Sequence, residues 1–148
     1  MGKQNFFCTL RSMSLAAITP EELAENFSFL EEWEERYAYV IDLGKQLPPF
    51  PEDQKNDICL VRGCTSRVWL IPHHTGDDNI HFIADSDAHI VRGLIAVLMV
   101  IYNDKPKQFV RDFQISDYFE RLGLSEHLSP SRRNGFFAMV ERIQSLAQ

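Results

Sequence analysis

No apolar run in this sequence is longer than the nine residues from Leu94 to Tyr102, and a helix needs roughly twenty such residues to cross a bilayer. A membrane span is not expected, and the run reads as the buried part of a helix. Positive charge is scarce: 15 Lys and Arg stand against 21 Asp and Glu, a net charge of -6. Nucleic acid is excluded as the main partner, because a phosphate-binding surface needs clustered Lys and Arg. A small basic patch that docks another protein remains compatible with that balance. Cysteine is limited to Cys8, Cys59 and Cys64. Three thiols cannot all pair within one chain, and without a secretory signal the expectation is free thiols in a reducing compartment, the cytoplasm. Internal repeats, low-complexity tracts and dividing linkers are also missing. The 148 residues are therefore read as one domain, large enough for its own core.

The N-terminal residues 1–18 are expected to form a disordered or extended tail, with a single domain over 19–148. The tail holds Lys3 and Arg11 but no acid. An organellar address would follow if it served as a transit peptide, for which it is too short and too weakly amphipathic; a ragged tail, with Met13 as a candidate true start, is the preferred reading. Thr19-Pro20-Glu21-Glu22 is a helix start, with Thr19 as cap, Pro20 in the first turn and Glu22 completing a capping box. Leu30, Trp33, Tyr37, Val40 and Ile41 continue at helical spacing, with Glu31, Glu32, Glu34 and Glu35 on the solvent face. That helix must stop before Pro48-Pro49-Phe50-Pro51.

Val68–Ile71 and Ile80–Ile83 are rich in β-branched and aromatic residues, and Gly76-Asp77-Asp78-Asn79 between them is turn chemistry. A hairpin is expected, with Ile58–Val61 as a third strand. Asp85-Ser86-Asp87 reads as the start of a second helix with Ile90, Val91, Leu94, Ile95 and Leu98 buried. Lys105-Pro106 opens a short helix, another ends at Gly123, and Ser129-Pro130 opens the last, packing Phe136, Met139, Val140 and Ile143. Helix, strands, then helices indicate an α+β domain: an antiparallel three-stranded sheet with helices packed on one side.

Chemistry concentrates in Val61-Arg62-Gly63-Cys64-Thr65-Ser66-Arg67-Val68-Trp69. Gly63 tolerates a backbone angle that residues with a Cβ resist, so Cys64 can sit at the tip of a sharp connection between strands. The thiolate is the reactive species, and a free Cys titrates near ~8.5. Arg62 and Arg67 would lower that value if their charges fell near the sulfur. A buried Cys filling a small gap is the bland alternative.

This segment resembles the signature of the SufE/CsdE sulfur acceptors: Val, any residue, Gly-Cys, any, Ser, any, Val-Trp. Further blocks occur in the family's order: Leu43-Gly44-Lys45-Gln46-Leu47-Pro48, Asp85-Ser86-Asp87-Ala88 with Ile90-Val91 and Gly93-Leu94, Leu122-Gly123-Leu124, and Leu128-Ser129-Pro130-Ser131-Arg132 with Gly135 and Met139. The resemblance spans about residues 19 to 147, and several ordered blocks are more specific than one motif. It implies a SufE/IscU-like fold and a role as sulfur acceptor and activator of a pyridoxal-phosphate-dependent cysteine desulfurase. Cys64 would attack the desulfurase's persulfide and relay the sulfur to an iron–sulfur scaffold or another acceptor, by thiol exchange. The chain would be a sulfur-transfer partner carrying a transient persulfide, not a stand-alone enzyme, with no cofactor or metal of its own.

The resemblance also implies a loop that tucks Cys64 into an apolar hollow at rest. Gly63, Ser66 and Asp87 are the residues expected to position that loop; for Asp87 a helix cap is the preferred alternative. Arg62, Arg67 and Arg132 are the expected partner contacts. Arg132 falls in the first turn of the last helix, where a cation is usually unfavourable by ~0.3–1 kcal/mol. It is expected either to pair with Asp85 or Glu126 or to meet the desulfurase; Arg133 points about a hundred degrees away. Cys59 and His73-His74 read as packed and solvated. Two other functions compete. An iron–sulfur or metal scaffold of the same architecture would need three cysteines around one site, but Cys8 lies in the tail. A cysteine hydrolase would need His81 or His89 as base to Cys64.

Overall fold

The structure, a computed structural model, describes residues 15–73 and 76–148. Cys8, Met13 and His74 lie outside these residues, as does the expected tail up to residue 14. Leu15–Ala17 forms a single 3-10 turn, and Leu15 and Ile18 are packed into the core. The packed domain therefore reaches back to Leu15.

The first helix, α1 (Pro20–Ser28), begins as its local chemistry dictates: the Thr19 hydroxyl accepts the Glu22 N–H at 3.1 Å, with Pro20 in the first turn. The periodicity that continues to Ile41 is not one helix. α1 stops at Phe29, and α2 (Trp33–Gly44) starts afresh on a capping box between Glu32 and Glu35. Those reciprocal bonds satisfy the N–H groups that a new helix start leaves orphaned. Leu30 and Val40 are buried as the spacing predicts, whereas Tyr37 is exposed and Trp33 is half-buried.

The centre of the fold is α3 (His89–Tyr102), buried along its length except at His89 and Arg92. A helix apolar all round needs neighbours on every side; α1, α2, the sheet and the last helix supply them. Two glycines let α2 and α3 meet backbone to backbone. A Cβ on Gly93 would stand 2.7 Å from the Val40 carbonyl carbon, and one on Gly44 would stand 2.7 Å from the Gly93 nitrogen.

The sheet is antiparallel, in the order β1 (Val68–His73), β2 (Asn79–Ser86), β3 (Lys105–Pro106). Its third strand is not Ile58–Val61. That segment contributes one isolated bridge, Leu60 to Trp69, because the Asn56 side chain accepts the N–H groups of Ile58 and Cys59 and bends the chain into a turn. Burial alternates along β2, so Ile80, Phe82, Ala84 and Ser86 face the core with Val68 and Leu70 of β1. On the other face Trp69 lies opposite Asp85 and is covered by Lys55, whose Nζ stands 5.5 Å from the ring centre.

Asp85-Ser86-Asp87 does not open α3. Asp85 and Ser86 finish β2, the N-cap of α3 is Ala88, and no side chain caps it. The acid is drawn elsewhere: Asp85 pairs with Arg92 at 2.9 Å and Lys55 at 3.3 Å. Short helices α4 (Lys107–Asp112) and α5 (Ile115–Arg121) follow. The final helix, α6 (Pro130–Ser145), is capped by Ser129 and buries Phe136, Met139, Val140 and Ile143, as read from the sequence. Among the described residues no helix is long and apolar enough to cross a membrane.

Candidate functional site

The loop 62–67 leaves one antiparallel rung and returns to it: the Val61 N–H donates to the Val68 carbonyl at 2.8 Å. Gly63 has φ +92, the left-handed region, so the turn before Cys64 demands glycine. A Cβ there would also press on the Ala138 methyl at 3.2 Å, so the loop lies close over α6.

Cys64 is half-buried at the loop tip and packs against the core. Its thiol points at α6, with Sγ 3.6 Å from the Gly135 carbonyl oxygen. The hollow under the loop is walled by Val91 and Leu94 of α3 and by Gly135, Phe136 and Met139 of α6. Burial among these groups pushes the thiol pKa above the ordinary cysteine value, because a low-dielectric site disfavours the thiolate. The two loop arginines do not reverse this. Arg62 and Arg67 are exposed, and among the described residues neither guanidinium makes a hydrogen bond or ion pair.

Two fastenings hold the second limb of the loop. Arg132 donates from Nη1 to the Ser66 hydroxyl at 2.6 Å, tying α6 to the loop two residues beyond the thiol. Arg132 thus takes neither of its expected acids: Asp85 is held by Arg92 and Lys55, and Glu126 is exposed. At the loop's end the Asp87 carboxylate accepts the Arg67 N–H at 3.2 Å, and the Ser86 hydroxyl donates to the Arg67 carbonyl at 2.6 Å. Asp87 fastens the loop and does not cap α3. Arg133, in contrast, donates to the Ser125 carbonyl at 3.0 Å.

The remaining candidates lie apart from this thiol. Cys59 faces Gln54, with Sγ 3.7 Å from Oε1. His81 is held between Asp104 at 2.6 Å and Asp77 at 2.9 Å, one on each ring nitrogen, so it offers Cys64 no free base. His73 and His89 are exposed. Among the described residues no three His, Cys, Asp or Glu side chains converge on a point where a metal could sit.

Comparison with known proteins bears on the loop and its surroundings together. A profile of the SufE family, described as an Fe-S metabolism associated domain, matches residues 21–147. The chain belongs to the SufE family. An uncharacterized SufE-like protein of Rhizobium meliloti (strain 1021) is 44% identical over 131 residues, covering 86% of this chain and 94% of that protein. One of Rhizobium etli is 42% identical over 131 residues, covering 86% and 88%. The fold of this SufE-family chain is similar to the solution structure of a hypothetical protein from Thermus thermophilus. The TM-score is 0.69 at 17% identity, over 88% of this chain and 95% of that one; at that identity the likeness concerns the fold alone.

Two features of this SufE-family site are not apparent in the loop's own sequence. Ser66 meets Arg132 across 66 residues, a partnership that no local spacing encodes. Gly135 forms the wall beside the thiol, and it had a signal: a glycine inside an apolar helical pattern is unfavourable unless packing requires it.

Proposed function

We propose that this chain is a sulfur acceptor and activator of a cysteine desulfurase, and that Cys64 carries the sulfur. The observation behind this is a single free thiol at the tip of a fastened loop, resting in an apolar hollow between α3 and α6. In that seat the thiol stays protonated and unreactive; lifted out, it regains water and its ordinary acidity. The thiolate then attacks the outer sulfur of the persulfide on a pyridoxal-phosphate-dependent desulfurase. A sulfur–sulfur bond to Cys64 forms, the donor's own sulfur–sulfur bond breaks, and the electron pair leaves on the donor cysteine. No external oxidant is needed, since the sulfur already carries its oxidation level.

Arg62 and Arg67 stand exposed on the two limbs of the loop, and in this reading they contact the desulfurase; Arg132 joins them once Ser66 releases it. Downstream, an iron–sulfur scaffold or another thiol takes the sulfur by the same exchange. Free thiols fit a reducing compartment, the cytoplasm. A cluster scaffold is the weaker reading, because Cys59 and Cys64 turn to different partners, Gln54 and Gly135. Intact mass spectrometry after incubation with a desulfurase and cysteine tests the proposal. One reducible sulfur is expected on the wild type and on Cys64-intact Cys59→Ser, and none on Cys64→Ser, which also fails to stimulate the desulfurase. Sulfur retained by folded Cys64→Ser would defeat it.

A further inference from the structure

The glycines of this fold divide by what each one makes possible. Gly63, Gly76 and Gly123 have positive φ. Gly44 and Gly93 allow two helix backbones to touch. Gly135 belongs to neither class. It lies inside α6 with no left-handed φ, where alanine is the better helix former. The nearest atoms that a methyl group there would meet all belong to Cys64: Sγ at 3.6 Å, Cβ at 3.8 Å and Cα at 3.9 Å. These are ordinary contact distances, so a resting thiol would tolerate alanine at this position. The missing methyl group therefore leaves space that the thiol itself does not use.

That space is small. The hollow has a cavity volume of about 10 Å³, at the lower limit of what holds one water molecule. Val91, Leu94, Phe136 and Met139 make most of its lining surface apolar, and Thr65, Ser66, Ser131 and Arg132 complete it, with the Arg132 guanidinium already bonded to the Ser66 hydroxyl. A single atom bonded to Sγ is the occupant such a seat suits.

We infer that Gly135 keeps a one-atom seat beside Cys64 for the outer sulfur of a persulfide, so that the chain stores a single sulfur and rejects longer sulfur chains. This rests on the acceptor reading above and adds a capacity and a positioning residue to it. Transfer into the seat is the balanced exchange already written: one sulfur–sulfur bond forms on Cys64, one breaks on the donor, and the donor leaves as a thiolate. A second sulfur added to the first has no room under the closed loop. It would hold the loop open and stay exposed to thiols.

Gly135→Ala tests this, with the whole chain loaded by a cysteine desulfurase and cysteine, freed of the desulfurase, and challenged with dithiothreitol. Intact mass is followed over time. The wild type is expected to carry one added sulfur and to lose it slowly. The variant is expected to melt at the same temperature or higher and to lose its sulfur several-fold faster. Its sulfur-free thiol should alkylate at the wild-type rate. Equal persulfide lifetimes, or a wild type that stably holds two or more sulfurs, would overturn the seat while leaving the acceptor role intact. Failure of both chains to take up any sulfur would remove the acceptor reading and the seat together.

Discussion

Opening of the Cys64 loop should be governed by the contact between Ser66 and Arg132. Their hydrogen bond is short, 2.6 Å, and its donor is charged. Such bonds contribute about 1.5–3 kcal/mol when shielded, but both side chains are only half-buried, and solvent screening reduces the net value to about 1 kcal/mol. A loss of that size raises the open fraction of the loop about fivefold. With iodoacetamide at fixed pH, and opening faster than alkylation, the rate of Cys64 modification tracks that open fraction. Ser66→Ala and Arg132→Ala should each raise it about fivefold, and the double variant should go no further, because both remove one interaction. Arg133→Ala is the control: it loses the bond to the Ser125 carbonyl and should lower the melting temperature without changing alkylation. Desulfurase stimulation then separates two roles of Arg132. A defect in Arg132→Ala that Ser66→Ala does not share marks a partner contact. Unchanged alkylation in both single variants, or effects that simply add, would refute the latch.

Gly93→Ala places a methyl group 2.7 Å from the Val40 carbonyl carbon; overpacking of ~1–3 kcal/mol or more should outweigh a helix-propensity gain of about 1 kcal/mol and lower the melting temperature by several degrees. Gly135→Ala, the same substitution in another helix, should not. Burial holds the Cys64 thiol above the ordinary cysteine pKa, so its alkylation profile should rise with a midpoint above the ~8.5 of a free cysteine. The same shift adds stability that is complete below the unfolded-state pKa and lost as pH rises through the folded one. Relative to Cys64→Ser, the wild type should therefore lose melting temperature in the alkaline range, and parallel curves would contradict the burial argument.

Local chemistry was readable wherever a few adjacent residues carried it. Thr19-Pro20 and Ser129-Pro130 start helices where expected, because cap and N-terminal proline act within one turn. The Leu94–Tyr102 run is buried as its composition requires. Reading failed where distant groups competed. Asp85 has the chemistry of a cap, yet Arg92 and Lys55 claim it. Ile58–Val61 has β-branched residues, but Asn56 captures its N–H groups, and the sheet is completed instead by Lys105–Pro106, two residues with no strand signal. The break between α1 and α2 was hidden because hydrophobic spacing persisted across it, while the Glu32–Glu35 box that restarts the helix looked like solvent-facing acid.

The sequence by itself determined the α+β class, the family resemblance, the loop with glycine before cysteine, and the helices on either side of it. The class, the loop and the helices follow from backbone preference or periodicity acting over a few residues, and the resemblance from several motif blocks standing in order. Tertiary structure alone decided what surrounds the thiol. Cys64 meets Gly135 across 71 residues, Ser66 meets Arg132 across 66, and the walls of the hollow come from two helices that touch only once the core has closed. Burial, acidity and access of one sulfur depend on those distant atoms, because desolvation is a property of the packed volume around a group and not of its neighbours in the chain.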